Sequence, residues 1–430
     1  MDNADTIFAL SSGAPPAAVA VIRISGGDAL NAVKALCGSL PVARRASLRR
    51  LARADGIVLD DALVITFPGP NTATGEDLAE LHLHGGRAVV RGVEEALEAL
   101  PGLRRAQPGE FTRRAFLNNR IDLNEAEGLA DLLSAETEWQ RRSAVQMAGG
   151  AFSKAVEQWR EDLLILTAGV EALLDFSDED DVSPEENNKI SNSCMSLHDV
   201  IQQHLAFPSG QKLHDGLRVV IAGPPNSGKS TLLNALVAKE AAIVSDIAGT
   251  TRDLINVPVA FDGIPFVLTD TAGLRDDTDD VIEGVGIQKA ESAIDDSDIL
   301  LWLGAEGEAP QHPNCIEIEA KGDDPNHIVK SAAALRLSAK TSAGLAELIK
   351  RLTQTAHGLL PPPDSFAINA RQTALLSDAA RSLSHAAKAT DLLIMAEELR
   401  QARLALDALT GRASTEDMLD ALFGRFCIGK

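Results

Sequence analysis

The 430 residues are 45% hydrophobic and 24% charged, and 40 Lys and Arg against 62 Asp and Glu give a formal net charge of -22. So long a chain implies several domains, and so acidic a balance excludes a protein that coats nucleic acid with a broad basic field, because phosphate contacts need clustered Lys and Arg. No apolar run approaches the ~18 residues of a membrane span. The N-terminal MDNADTIFALSSGAPPAA has neither the basic flank nor the apolar centre of a secretion signal, so a cytoplasmic protein without membrane attachment is expected. Cys37, Cys194, Cys315 and Cys427 are scattered with no C-x-x-C pair, which disfavours a disulfide framework and a zinc site.

From Thr6 to about Asn119, short apolar runs alternate with helical segments. AVAVIRIS (18–25) reads as a strand, DALNAVKALCG as a helix, and DALVITFPGP and DLAELHLHGG as further strands. His82 and His84 share one strand face; with no third ligand nearby, hydrogen-bonded or solvent-facing histidines are expected rather than a metal pair. Arg44, Arg45, Arg49, Arg50 and Arg53 read as a solvated basic face. After PGEFTRRAFLNNRIDL the pattern turns helical. Phe152, Val156, Trp159, Leu163, Leu166, Val170 and Leu173 recur at three- and four-residue steps, the stripe of one long helix that needs a helical partner. DFSDEDDVSPEENN (175–188) reads as an acidic loop without EF-hand spacing, followed by helix to about Leu213.

An α/β block runs from the strand at Leu217 to the proline-rich HGLLPPPD (357–364), after which Arg371 to Leu409 and Thr415 to Phe423 read as helix. The fold class expected is multidomain α/β plus α. An N-terminal α/β (α+β) domain is followed by a helical bundle into which a Ras-like P-loop domain is inserted.

The block opens with LRVVIA, then GPPNSGKS (223–230), then the helix-like TLLNALVA. Strand, G-x-x-x-x-G-K-S and helix together define a phosphate-binding P-loop. Gly223 and Gly228 allow a tight backbone wrap, so that the N–H groups of Asn226, Ser227, Gly228, Lys229, Ser230 and Thr231 can point at a polyphosphate. Lys229 would reach the outer phosphates, and Ser230 would reach Mg2+. Downstream, IPFVLTD ends in Asp270, Thr271, Ala272 and Gly273, which puts a carboxylate at a strand end, where it can hold Mg2+ through water, and an N–H near the terminal phosphate. Between them, SDIAGTTRD (Ser245, Asp246, Ile247, Ala248, Gly249, Thr250, Thr251, Arg252, Asp253) suits a switch loop that closes on Mg2+, with Thr251 as a second metal ligand, and on the γ-phosphate. This order of motifs indicates GTP.

Base recognition, usually N-K-x-D, falls on Ala320, Lys321, Gly322 and Asp323. Asp323 can accept from guanine, the Lys321 stem can cover the base, and Ser338 and Ala339 offer backbone contacts to the guanine oxygen. The asparagine is replaced by Ala320, and a missing side-chain hydrogen bond costs about 0.5–1.5 kcal/mol, so GTP with a raised dissociation constant is expected. Leu274 stands where Ras-like enzymes carry the water-orienting glutamine. Hydrolysis then needs another polar residue, and the acids of LRDDTDDVIEGVGIQKA leave the choice open.

Taken together, DTIFAL, GEDLAELHLHGG, PGEFTRRAFLNNRIDL, GPPNSGKS, DIAGTTRD, DTAGLR and the terminal CIGK closely resemble the MnmE (TrmE) family of tRNA modification GTPases over the full length. The resemblance implies an N-terminal folate-binding and dimerisation domain at 1–119, a helical domain in two parts at 120–213 and 358–430, and a GTPase domain inserted at 214–357. It implies a homodimer that joins the flavin-containing MnmG (GidA) in a heterotetramer. That complex would place a carboxymethylaminomethyl or aminomethyl group on the wobble uridine of certain tRNAs.

The resemblance further implies formyl-tetrahydrofolate, with the 5-formyl form as a bound analogue, held by Arg23, Glu80, Arg120 and Lys430. Arg120 stands where relatives often carry lysine. It implies K+ bridging two GTPase domains, held by Asn226, Ser245, Ile247 and Thr250, and it aligns Glu283 with the catalytic glutamate. Cys427 in CIGK is the position it singles out as a possible nucleophile. Competing readings are an Era-like GTPase switch in ribosome assembly, disfavoured by the acidic balance, and a weakly binding scaffold without turnover.

Overall fold

The computed structural model describes residues 5–175, 184–239, 256–271, 289–325, 327, 329–330, 335–363, 365–412, 416–424 and 426–430. The chain divides into two compact units, Met1–Ala130 with Asp407–Lys430, and Asp131–Leu406.

The first unit is built on a six-stranded sheet of order β3-β4-β5-β2-β1-β6. Its strands are β1 (Thr6–Leu10), β2 (Val19–Ser25), β3 (Ser47–Ala52), β4 (Val58–Phe67), β5 (Leu78–His84) and β6 (Leu103–Arg105). Strand alternation sorts the side chains. Ala20, Ile22 and Ile24 of β2, with Leu81 and Leu83 of β5, are buried beneath α1 (Ala29–Cys37) and α2 (Arg87–Glu98). On the opposite face, Ile7 and Ala9 pack with Phe111 of α3 (Glu110–Leu117).

That helix lies inside the PGEFTRRAFLNNRIDL stretch, so helix begins earlier than its polar composition indicates. Beside the apolar contacts of Phe111, it is held by a buried charge network. Arg114 is buried and pairs with Glu76 at 3.1 Å and Glu110 at 3.2 Å, while Arg104 binds Glu110 at 2.6 Å. In the basic cluster, Arg50 pairs with Asp61 at 2.9 Å and Arg53 with Asp55 at 3.8 Å.

The second unit holds a sheet of order β12-β11-β10-β7-β9-β8, from β7 (Leu217–Ala222), β8 (Asn256–Phe261), β9 (Ile264–Asp270), β10 (Ile299–Trp302), β11 (Cys315–Glu319) and β12 (Leu335–Arg336). All pairings are parallel except the β8–β9 hairpin. The strands therefore place their C-terminal ends on one edge, where open α/β sheets bind ligands.

The long helix is α6 (Ala151–Asp175), and all seven stripe residues are buried. Its partner α7 (Pro184–Leu205) packs in turn on the later helix α11 (Ala370–Lys388), so segments from both sides of the α/β block form one bundle. Two expectations are corrected. Residues 184–188 belong to α7, not to the acidic loop, because Pro184 opens the helix, where its fixed φ fits and its missing N–H breaks no bond. The helix expected to run to Leu213 ends at Leu205, and α8 (Gln211–Asp215) follows separately. Ala367 crosses close above Gly210, where a Cβ would lie 2.6 Å from the Ala367 carbonyl carbon.

Candidate nucleotide site and the C-terminal face

The P-loop leaves β7 and enters α9 (Lys229–Lys239). Gly223 (φ 150°) passes so close to the chain after β10 that a Cβ would lie 3.1 Å from the Gly304 nitrogen. Asn226 is left-handed at φ 59°, a conformation asparagine tolerates better than most residues. Lys229 is buried, and its Nζ donates to the Gly223 and Pro224 carbonyls at 3.0 and 2.9 Å.

Ser230 Oγ donates to Asp270 Oδ2 at 2.5 Å, joining the first turn of α9 to the end of β9. Thr271 Oγ1 anchors that strand end on the Ile221 carbonyl at 3.0 Å. A hydroxyl and a carboxylate at the helix mouth form a hard-oxygen pair of the kind Mg2+ takes beside phosphates. Ser227 Oγ is buried, with no hydrogen-bond partner among the described residues.

A cavity of about 280 Å³ adjoins the P-loop, lined by Thr231, Ala320, Lys321, Asp323, Ala339 and Lys340 among others. Two loops shape it. Gly322 N–H donates to Leu337 O and Leu337 N–H to Glu319 O, both at 2.9 Å, and Ser338 Oγ donates to Asp323 Oδ1 at 2.6 Å. The Ser338 hydroxyl holds the Asp323 carboxyl below the usual carboxylate range, so it is an ionised acceptor at neutral pH. Lys321 Nζ donates to Asn226 O at 2.6 Å, linking base loop to P-loop. The structure thus brings Asn226, Lys229, Ser230, Thr231, Asp270, Lys321, Asp323, Ser338 and Ala339 to one edge of the sheet. Ser245, Asp246, Ile247, Ala248, Gly249, Thr250, Thr251, Ala272, Gly273, Leu274 and Glu283 lie outside the described residues.

The folate candidates lie in the first unit. Arg23 and Glu80 are neighbours across β2 and β5 and pair with each other at 2.9 Å. Arg23 also sits over the Phe111 ring at 5.9 Å. Two residues along β2, Ser25 Oγ contacts Thr74 Oγ1 at 2.7 Å, and a Cβ on Gly75 would lie 3.3 Å from Arg120 Cγ. The C-terminus docks at the end of β1. Ser11 Oγ donates to Gly429 O at 2.8 Å, and a Cβ on Gly429 (φ 96°) would lie 2.2 Å from Leu10 O.

Cys427 is exposed, and its carbonyl accepts from Gly109 N–H at 3.4 Å. Sequence reasoning missed the Glu76–Arg114–Glu110 network behind this face; the T-R-R spacing in a short helix was the available signal. His82 contacts Glu80 at 3.3 Å and His84 contacts Asp60 at 2.7 Å, and no three-residue metal cluster occurs among the described residues.

A mainly parallel sheet with a P-loop, a Ser–Asp pair at its mouth and a carboxylate in the base cavity defines a P-loop GTPase domain, here carried by a chain with a separate N-terminal sheet and a helical bundle. Family models match along nearly all of it: "GTP-binding protein TrmE N-terminus" at residues 6–120 and "MnmE helical domain" at 123–427. The chain is 59% identical to the tRNA modification GTPase MnmE of Erythrobacter litoralis, over 99% of this chain and 100% of that protein. It is 55% identical to the protein of that name from Novosphingobium aromaticivorans over the same shares. For Rhizorhabdus wittichii the identity is 56%, over 99% of this chain and 97% of the relative. The chain belongs to the MnmE family of tRNA modification GTPases. No helix among the described residues is long and apolar enough to cross a membrane.

Proposed function

We propose that this protein is a K+-dependent GTPase acting as a cytoplasmic homodimer. With an MnmG (GidA) partner, its cycle drives addition of a carboxymethylaminomethyl or aminomethyl group to the wobble uridine of certain tRNAs. The domains proposed are 1–119 for folate binding and dimerisation, 214–357 for GTP, and 120–213 with 358–430 for the helical bundle. The observation that carries the GTP part is the junction of P-loop, Ser230–Asp270 pair and Asp323 cavity on one sheet edge.

In this reading Lys229 exchanges its two carbonyl partners for the outer phosphates. Ser230 and Thr251 hold Mg2+, with Asp270 acting through water. Asp323 accepts from guanine, and the Lys321 stem covers its plane. Asn226, with Ser245, Ile247 and Thr250, holds K+. Bound there, the two cations offset phosphate charge, K+ standing in for an arginine finger. Leu274 cannot orient water, so Glu283 takes that role. The chemistry of the C-terminal face fits an anionic pteridine-glutamate such as formyl-tetrahydrofolate. Arg23, Arg120 and Lys430 would supply cations, Glu80 an acceptor, and Cys427 a thiol on the same face.

GTP turnover measured in KCl and in NaCl, for this protein and for Glu283→Ala, tests the reading. Hydrolysis in K+ alone, lost in the variant while GTP binding persists, is the expected result; equal rates in both salts or an unaffected variant would sink it. Nucleoside mass spectrometry of tRNA from cells lacking the chain should show the wobble modification gone.

A further inference from the structure

Behind the base loop lies a cluster of charged groups for which phosphate binding has no use. Glu319 is the last residue of β11, immediately before Ala320, and its side chain is only 7% exposed. Its Oε2 accepts from Lys330 N–H at 3.0 Å; its Oε1 faces His327 Nε2 at 2.7 Å and Arg336 Nε at 3.4 Å. The other ring nitrogen, His327 Nδ1, faces the Asp324 carbonyl oxygen at 2.6 Å. A carbonyl only accepts, and so does an ionised carboxylate. The imidazole therefore ties the Glu319 carboxylate to the Asp324 carbonyl, which also accepts from the His327 backbone N–H at 3.1 Å. The Lys330 N–H and the His327 side chain hold the Glu319 carboxyl below the usual range, so it is an ionised acceptor.

This clasp grips the turn that presents Asp323. Lys321 is left-handed at φ 58°, and Asp324 N–H closes the turn on Lys321 O at 2.8 Å. Arg336 Nη2 donates to Gly322 O at 3.1 Å. The peptide oxygens on either side of Asp323 are therefore held by His327 and Arg336, and both side chains meet on Glu319. Ala320 carries no polar side chain with which to brace the turn from within.

We propose that His327, acting through Glu319 and the Asp324 carbonyl, is a positioning residue for guanine specificity. It fixes the Lys321–Asp324 turn in a chain where Ala320 has replaced the usual asparagine. The proposal rests on reading Asp323 as the partner of the guanine N–H groups. Removing the imidazole breaks both contacts and loosens the turn. The other charged groups facing the cluster are Lys330, whose Nζ goes to Glu317 at 3.3 Å, and Asp323, which feels Lys340.

The test is the affinity of the full chain for fluorescent GDP, IDP and ADP at one fixed pH, for the unaltered protein, His327→Ala and Glu319→Gln. IDP lacks the 2-amino group that Asp323 would read. His327→Ala should bind GDP about tenfold more weakly and narrow the GDP-over-IDP ratio. Glu319→Gln keeps the side-chain shape and should narrow the ratio as well, which covers the case of a poorly folded His327→Ala. An unchanged ratio in a folded variant, or equal loss for all three nucleotides, overturns the role of His327. An unaltered protein that fails to prefer GDP over ADP overturns the reading of Asp323 itself.

Discussion

Gly429→Ala tests whether the docked C-terminus builds the proposed folate face. At φ 96° an L side chain costs about 1–3 kcal/mol in backbone strain. The new methyl would also lie 2.2 Å from Leu10 O, a backbone atom of β1 that cannot swing aside. Two cross-segment hydrogen bonds oppose release, from Ser11 Oγ to Gly429 O at 2.8 Å and from Gly109 N–H to Cys427 O at 3.4 Å. Together they are worth about 1–3 kcal/mol, and the longer one lies at the weak end.

Strain and overlap exceed the tether, so residues 427–430 should detach while the buried Phe426 stays packed. Affinity for 5-formyl-tetrahydrofolate, measured by calorimetry, should fall at least about tenfold, and carboxypeptidase should trim the freed end. The melting temperature should move by less than about 4 °C, and GDP affinity should hold. Gly38→Ala is the matched control, since Gly38 has φ 74° but a Cβ there would meet nothing within 4 Å. A folded Gly429→Ala protein that binds the folate normally with a protected terminus would refute the reasoning.

Asp323→Asn should move the preference from guanosine to xanthosine diphosphate, because an amide can donate to the 2-oxo group where a carboxylate accepted from the 2-amino group; competition with labelled GDP reads this directly. Glu110 gives a pH prediction. Burial opposes its ionisation, but hydrogen bonds from Arg104 and Gln107 N–H, with the charges of Arg104 and Arg114, outweigh burial and hold its carboxyl below the usual range. Its contribution is therefore present above the ordinary glutamate value of about 4.3 and is lost as pH falls through the lowered folded value. Glu110→Gln should cost about 2 kcal/mol at neutral pH, and denaturant titrations of the two proteins should converge in acid; a gap that widened there would reverse the sign.

The sequence by itself determined what depends on a few neighbouring residues. The α6 stripe was legible because burial repeats with the helix turn. The P-loop was legible because its glycines, lysine and serine do their work within eight consecutive positions. Only the tertiary structure decided what depends on strand order and register. It set Arg23 against Glu80, 57 residues away, and Gly429 against Ser11, 418 residues away. It placed Trp139 of α5 (Glu138–Ala148) in the core of the α/β block, and it put His327 beneath the base loop. Such pairs carry no spacing signal, since two segments become neighbours through the sheet between them and not through the chain that joins them.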